Sequence, residues 1–202
     1  MEGSSAAARP GLERLGVFGG TFDPPHIGHL AAAEAARWAL GLDTVYFVVA
    51  NRPWQKVVEQ PVSPAADRLA LVRAAVSNLD GFEVSTLEID RGGDSSTAET
   101  LTTLAGEARE LFLIVGSDLA DSLDTWRRPE VIRSLATVAV VARLGADGSG
   151  VPPPGWRWIP VEGPGIEVSS THVRRWLSEG HPLGSVLSQP VAAEIERRGL
   201  YR

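Results

Sequence analysis

Apolar positions along the chain fall into two kinds of run, and each kind predicts its own element. Leu15-Gly16-Val17-Phe18 is short, apolar and stopped by Gly19-Gly20, which predicts a first strand. From Ile27 to Leu40 apolar residues recur at helical spacing in an Ala-rich stretch, with Gly41 placed to cap its C-terminus. Thr44 to Val49 is β-branched, aromatic and apolar throughout, as a strand buried on both faces of a parallel sheet must be. Asn51 to Val62 is polar and interrupted by Pro53 and Pro61, so it reads as a loop. Ser63 then offers an N-cap and Pro64 a first helical residue for a helix reaching about Val76. Phe82 to Ile89 predicts a strand, Gly92-Gly93 a turn, and Ser96-Thr97-Ala98-Glu99 a capping box that opens a helix to about Arg109. Further strands are predicted at Leu111 to Val115, Ala136 to Ala142 and Trp156 to Val161, the last two separated by a Gly/Pro-rich loop from Gly145 to Gly155. Ser170 and Pro190 head the last two helices. Residues 1–13, small and polar, read as a disordered leader, which leaves 14–202 as one domain.

Strands that alternate with helices, several of them apolar throughout, make βαβ units. The expected class is therefore α/β: a Rossmann-like, open, mostly parallel sheet with helices on both faces, in a single domain. Ligands of such sheets sit at the carboxyl ends of the strands, so chemistry is to be sought in the segments that follow them. Composition removes several alternatives. The chain has no cysteine, which excludes disulfides, thiolate metal sites and cysteine nucleophiles. A net charge of −6 gives no field for a long nucleic acid, so an anionic ligand needs a locally built site. Lys56 is the one lysine, every other basic side chain being arginine. No stretch approaches the ~20 apolar residues of a membrane helix, and the first dozen residues hold no signal-peptide core. A cytoplasmic protein without nucleic-acid or membrane partners is expected; a homo-oligomer is left open.

The strongest chemical signal lies between the first strand and the first helix, in Gly19-Gly20-Thr21-Phe22-Asp23-Pro24-Pro25-His26-Ile27-Gly28-His29. Paired glycines let backbone approach a ligand, and a helix N-terminus offers unpaired N–H groups to phosphate. His26 and His29, three residues apart at that helix start, can face one anion, with Gly28 leaving space between them. Three other readings compete: a tight turn, a metal site and a degenerate dinucleotide fingerprint. No third histidine lies close in sequence to the pair, which weighs against metal, and the spacing is not G-x-G-x-x-G. Near the other end, Ser169, Ser170 and Thr171 at a helix start, with Arg174 one turn on, make a second set of short donors plus a planar, permanent cation.

At these residues the sequence resembles a known family. GGTFDPPHIGHL is similar to the signature of the HxGH nucleotidyltransferase superfamily and most resembles its nicotinate-nucleotide adenylyltransferase family. Asn51-Arg52-Pro53-Trp54-Gln55-Lys56 falls at that family's Pro-Pro-His-Lys loop, and Ser96-Thr97-Ala98-Glu99-Thr100-Leu101 at its Tyr-Thr-x-x-Thr-Leu segment. Gly116-Ser117-Asp118, Thr125-Trp126 and Val168-Ser169-Ser170-Thr171-His172-Val173-Arg174 match its Gly-x-Asp, Thr-Trp and Ile-Ser-Ser-Thr-x-x-Arg elements. Trp54-Gln55 replaces Pro-His and Ser96 replaces an aromatic, both departures falling on the mononucleotide side. The class I aminoacyl-tRNA synthetases share the His-x-Gly-His element, but this chain has no Lys-Met-Ser-Lys-Ser segment.

The resemblance implies adenylyl transfer from ATP to nicotinate mononucleotide, with Mg2+ entering on the ATP. It implies His26, His29, Lys56 and Arg174 as catalytic, and Gly19, Gly20, Thr21, Phe22, Gly28, Gly116, Asp118, Ser169, Ser170 and Thr171 at ATP. Trp54, Thr97, Trp126 and Arg143 are implied at the mononucleotide, and no protein metal ligand is implied. A sister enzyme acting on nicotinamide mononucleotide or phosphopantetheine, and a nucleotide sensor without turnover, are the alternatives.

Overall fold

The computed structural model describes residues 11–53, 62–106, 109–143, 149–163 and 165–202. The first half supplies β1 (Glu13–Gly20), α1 (Ile27–Leu40), β2 (Thr44–Val49), α2 (Ala65–Val76), β3 (Phe82–Ser85), α3 (Leu87–Arg91) and α4 (Thr97–Leu104). The second supplies β4 (Arg109–Gly116), α5 (Ser117–Ala120), α6 (Pro129–Leu135), β5 (Ala136–Val141), β6 (Trp158–Val161), α7 (Ser170–Ser178) and α8 (Gln189–Arg198). A single 3-10 turn, Leu123–Thr125, precedes α6. The strands form one sheet in the order β3-β2-β1-β4-β5-β6 with every pairing parallel.

Alternation along the strands sorts the core into two layers. On one face Phe18, Val45, Phe47, Phe112, Ile114, Ala139 and Val141 meet Ala33, Ala36 and Leu40 of α1, Leu71 and Val72 of α2, Val173 of α7 and Ile195 of α8. On the other, Leu15, Val17, Leu111, Leu113, Val115, Val138 and Val140 meet Ala98, Leu101 and Leu104 of α4, Ala120 of α5 and Ile132 of α6. Each of the Val, Leu, Ile and Phe side chains, taken out of water, contributes roughly 1.5–3 kcal/mol. Burial on both faces explains why these strands read as unbroken apolar runs.

The expected α/β class, open parallel sheet and two helical faces are the observed ones. Several boundaries differ. The stretch read as one strand over Phe82 to Ile89 pairs with β2 only as far as Ser85, and Leu87–Arg91 coils into α3, closed by Gly92 at φ +73°. The helix expected to reach Arg109 ends at Leu104, because Arg109 is already paired beside Glu13 in β4. Ser63 does not cap α2: Pro64 is the cap residue and Ala65 the first helical one. Glu13, placed in the leader from sequence, is the first residue of β1; residues 1–10 lie outside the described ones. Among the described residues no helix is long and apolar enough to cross a membrane.

Charged groups tie α8 to α2 across the first face. Arg198 Nη1 donates to the Asp67 carboxylate and Arg198 Nε to Glu194 at 2.5 Å, while Arg197 bonds Glu194 at 2.6 Å. Bonds from Arg197, and then Arg198, pull the Glu194 carboxyl from the ordinary 4.5 to about 2. A depressed carboxyl contributes stability above its unfolded value and loses that contribution as pH falls through its folded one. Glu194→Gln is accordingly expected to sit below wild type in melting temperature near neutrality and to converge with it between pH 4.5 and about 2. Parallel melting curves over that interval would show that the cluster adds nothing to stability.

Candidate active site

The carboxyl ends of β1, β2, β4 and β5 open on a cavity of about 350 Å³. Its floor begins at Gly19 and Gly20, where β1 stops, and continues through Thr21 and Phe22. A Cβ on Gly19 would meet nothing within 4 Å, whereas one on Gly20 would strike the Phe22 ring at 2.8 Å. Phe22 turns the chain with φ +51°, a left-handed conformation that costs a non-glycine residue of order 1–3 kcal/mol. Its buried ring, edge-on to Phe18 at 5.6 Å and to His29 at 5.1 Å, holds it there.

His26 is the N-cap of α1 and His29 its third residue, so the two side chains stand on one side of the helix start. Their rings stack with centroids 3.7 Å apart. The His26 N–H donates to His29 Nδ1 at 3.2 Å. A neutral imidazole that accepts at Nδ1 carries its proton on Nε2, so this bond makes Nε2 of His29 a donor. Gly28 lines the cavity, and its own surroundings also require it to be small. A Cβ there would press on Val168 Cγ1 at 2.9 Å and on His26 Nδ1 at 3.1 Å.

The loop bearing this pair is held from three directions. Arg68 of α2, only 1% exposed, donates from Nη1 to the carbonyls of Thr21 (2.9 Å) and Ala50 (2.7 Å). Its Nη2 reaches the Asn51 carbonyl at 3.0 Å and its Nε the Ser63 carbonyl at 2.8 Å. Burial draws the Arg68 pKa down, while the nearby Asp23 carboxylate opposes that shift. Asp23, 3% exposed, accepts from the Ser63 N–H at 3.0 Å and from the Tyr201 hydroxyl. From α7, Arg174 Nη1 donates to the Asp23 carbonyl at 2.7 Å and Ser170 Oγ to the Pro24 carbonyl at 2.9 Å. The cap of α7 is Ser169, whose Oγ accepts from the His172 N–H at 3.2 Å; Thr171 Oγ1 accepts from Arg174 at 3.4 Å. Ser170, expected to head that helix, is its first residue.

At the end of β4, Gly116 leaves room for Asp118, whose Oδ1 a Cβ would overlap. Asp118 pairs with Arg143 Nη1 at 3.3 Å, and Arg143 Nη2 donates to the Val168 carbonyl at 2.9 Å. Arg143, assigned to the mononucleotide side by resemblance, thus stands with Asp118 and the segment leading into α7. The far end of the cavity is lined by Thr97 and Trp126, as expected, and by Glu88, Ser95 and Arg127, which sequence reasoning missed. Glu88 is buried, accepts from Thr100 Oγ1 at 2.9 Å and lies 3.8 Å from Arg91. Ser95 Oγ and Trp126 Nε1 are buried without a hydrogen-bond partner among the described residues. Asn51 and Arg52 brace this end by bonding to Gly93 and Ser95. Trp54 and Lys56 lie outside the described residues. Ser169, Thr171 and Arg174 do not line the cavity, while the other expected residues among the described ones do.

A parallel sheet with two glycines, a left-handed turn and a stacked histidine pair between its first strand and helix defines a nucleotidyltransferase of the cytidylyltransferase-like class, and that family matches residues 17–176. A probable nicotinate-nucleotide adenylyltransferase of Thermus thermophilus is 43% identical over 195 residues, covering 94% of this chain and 100% of that protein. The one from Roseiflexus sp. is 40% identical, covering 93% and 98%. This chain belongs to the nicotinate-nucleotide adenylyltransferase family. Plasmodium falciparum nicotinic acid mononucleotide adenylyltransferase, solved complexed with NaAD, has the same fold, with a TM-score of 0.77 at 14% identity over 94% of this chain and 97% of that one.

Arg68→Leu is expected to strip donors from four carbonyls and a counter-charge from Asp23. Each buried acceptor left unpaired costs about 1–3 kcal/mol, so denaturant unfolding should show a loss of at least about 3 kcal/mol. A loss under about 1 kcal/mol would mean that the carbonyls are satisfied without Arg68.

Proposed function

We propose that this protein transfers the adenylyl group of ATP to nicotinate mononucleotide, giving deamido-NAD and pyrophosphate in NAD biosynthesis. The observation that carries the reading is the stacked His26 and His29 pair at the start of α1, opening on one cavity that also reaches Thr97 and Trp126. One end of that cavity suits phosphates and the other a flat ring. The names of the relatives support the acceptor. An oxygen of the mononucleotide's 5′-phosphate attacks the α-phosphorus of ATP. The new P–O bond forms as the bond to the β-phosphate oxygen breaks, and pyrophosphate leaves with that electron pair. The attacking oxygen is already anionic, so positioning and charge stabilisation are what the protein supplies.

His29, donating from Nε2, and His26 serve the α-phosphate, with Thr21 and the Phe22 amide beside it. Ser170, Thr171 and Arg174 serve the β- and γ-phosphates, Arg174 also bracing the Asp23 carbonyl. Asp118, oriented by Arg143, accepts from ribose hydroxyls. Trp126 stacks on the pyridine ring. The Ser95 hydroxyl, buried and unbonded among the described residues, is a donor suited to the ring's carboxylate. Magnesium entering on the ATP would supply charge neutralisation to the leaving pyrophosphate.

His29→Ala is expected to lower turnover about 10²–10³-fold, a far larger effect than its effect on stability, since one donor to the reacting phosphate is removed. Near-normal turnover in a folded variant would remove His29 from the mechanism. Pyrophosphate release with ATP and a panel of acceptors tests the substrate. Donors facing a carboxamide instead of a carboxylate lose a charge-assisted bond, at about 2–3 kcal/mol. The preference for nicotinate over nicotinamide mononucleotide should therefore be roughly thirty- to a hundred-fold in kcat/KM. Equal use of the two, or a preference for phosphopantetheine, overturns the acceptor while leaving adenylyl transfer intact; no release with any acceptor leaves a nucleotide sensor.

A further inference from the structure

The loop that carries the histidine pair is fixed from outside itself, and one of its anchors comes from the opposite end of the described chain. Beyond α8, Gly199 (φ +64°) and Tyr201 (φ +61°) turn the backbone back toward β1. The Tyr201 hydroxyl then donates to Asp23 Oδ1, across a sequence separation of 178 residues. The other oxygen of the same carboxylate takes the Ser63 N–H at 3.0 Å. Asp23 is 3% exposed, so water does not readily replace either bond. Burial, and then the bond to Asp23, push the Tyr201 phenol pKa well up, so the hydroxyl remains a donor at any working pH. Asp23 is three residues before His26, whose N–H selects the tautomer of His29. Between them the backbone is gripped at two carbonyls, those of Asp23 and Pro24, by Arg174 and Ser170.

We propose that Tyr201 is a positioning residue for adenylyl transfer: its hydroxyl fixes Asp23, and through Asp23 the loop that aligns the His26 N–H with His29 Nδ1. The proposal rests on the function given above. With the hydroxyl gone, a buried carboxylate oxygen is left unbonded and Asp23 rotates to recover a donor, carrying the loop with it. A sub-ångström shift there moves the His29 donor relative to the α-phosphorus, and misplacement on the 1 Å scale costs up to about 10²-fold in rate.

Tyr201→Phe keeps the ring and deletes only the donor. In the pyrophosphate-release assay with ATP and nicotinate mononucleotide, kcat is expected to fall roughly ten-fold or more while both KM values change less than about three-fold. A second readout needs no acceptor: the imidazole ¹⁵N shifts of His29 in the free protein. Wild type is expected to show the pure Nε2–H form and Tyr201→Phe a mixture with Nδ1–H. Asp23→Asn, which leaves one acceptor oxygen, is expected to move both readouts in the same direction. A lower melting temperature with wild-type kcat and unchanged His29 shifts in Tyr201→Phe would reduce Tyr201 to a structural role and overturn the proposal. So would unchanged readouts in Asp23→Asn should Tyr201→Phe fail to fold. A wild-type protein silent toward nicotinate mononucleotide contradicts the substrate reading, and the nitrogen shifts then decide on Tyr201 alone.

Discussion

A guanidinium taken out of water is costly unless its N–H groups find acceptors, and Arg68 finds four backbone carbonyls. The site depends on that solution. Those carbonyls belong to the turn after β1 and the end of β2, which leave their shared ladder at Gly20 and Val49, and to the entry to α2, which no strand pairing registers against them. A planar fork with fixed donor directions holds them at set distances, which a lysine ammonium on a flexible stem does not reproduce. The Asp23 carboxylate nearby offsets part of the buried charge. From Asn51 and Arg52 the same constraint passes to Gly93 and Ser95, so both ends of the cavity are referenced to one side chain.

The histidines show how local structure and chemistry share atoms. His26 caps α1 with its backbone in an extended conformation and supplies the N–H that sets the tautomer of His29. Cap geometry and donor direction are thus a single arrangement. Gly28 is required because any larger residue would push His26 out of it. The left-handed Phe22 is tolerated because its ring is packed among Phe18, Phe47 and His29.

Much of this was legible in the chain. α1 and β2 begin and end where periodicity and β-branching place them, since burial on one face or on both leaves a clear pattern. α3 was not, because Val84, Leu87 and Ile89 continue an apolar run whose change of period falls within a few residues. Nor was the early end of α4, which is set by pairing between residues 13 and 109. At the site, the histidines, glycines, Asp118, Thr97 and Trp126 stood out by motif. Arg68 did not: an arginine inside an amphipathic helix reads as a solvated face, and only the tertiary structure shows it buried. Glu88 was hidden in the misread strand, and Arg127 beside a second arginine carried no distinguishing spacing.

The strand order places β1, the first strand to emerge from the ribosome, at the middle of the finished sheet. β2 and β3 can join one side of it early, but its other side waits for β4, about ninety residues later. Until then a nascent chain displays Leu15 and Val17 on an open parallel edge, with backbone donors and acceptors unpaired, the kind of surface that recruits other strands. The seam at which the cavity forms is therefore also a pairing edge left open until residue 109 has been made. A slow stretch of translation before residue 109 would lengthen the time that edge stays open.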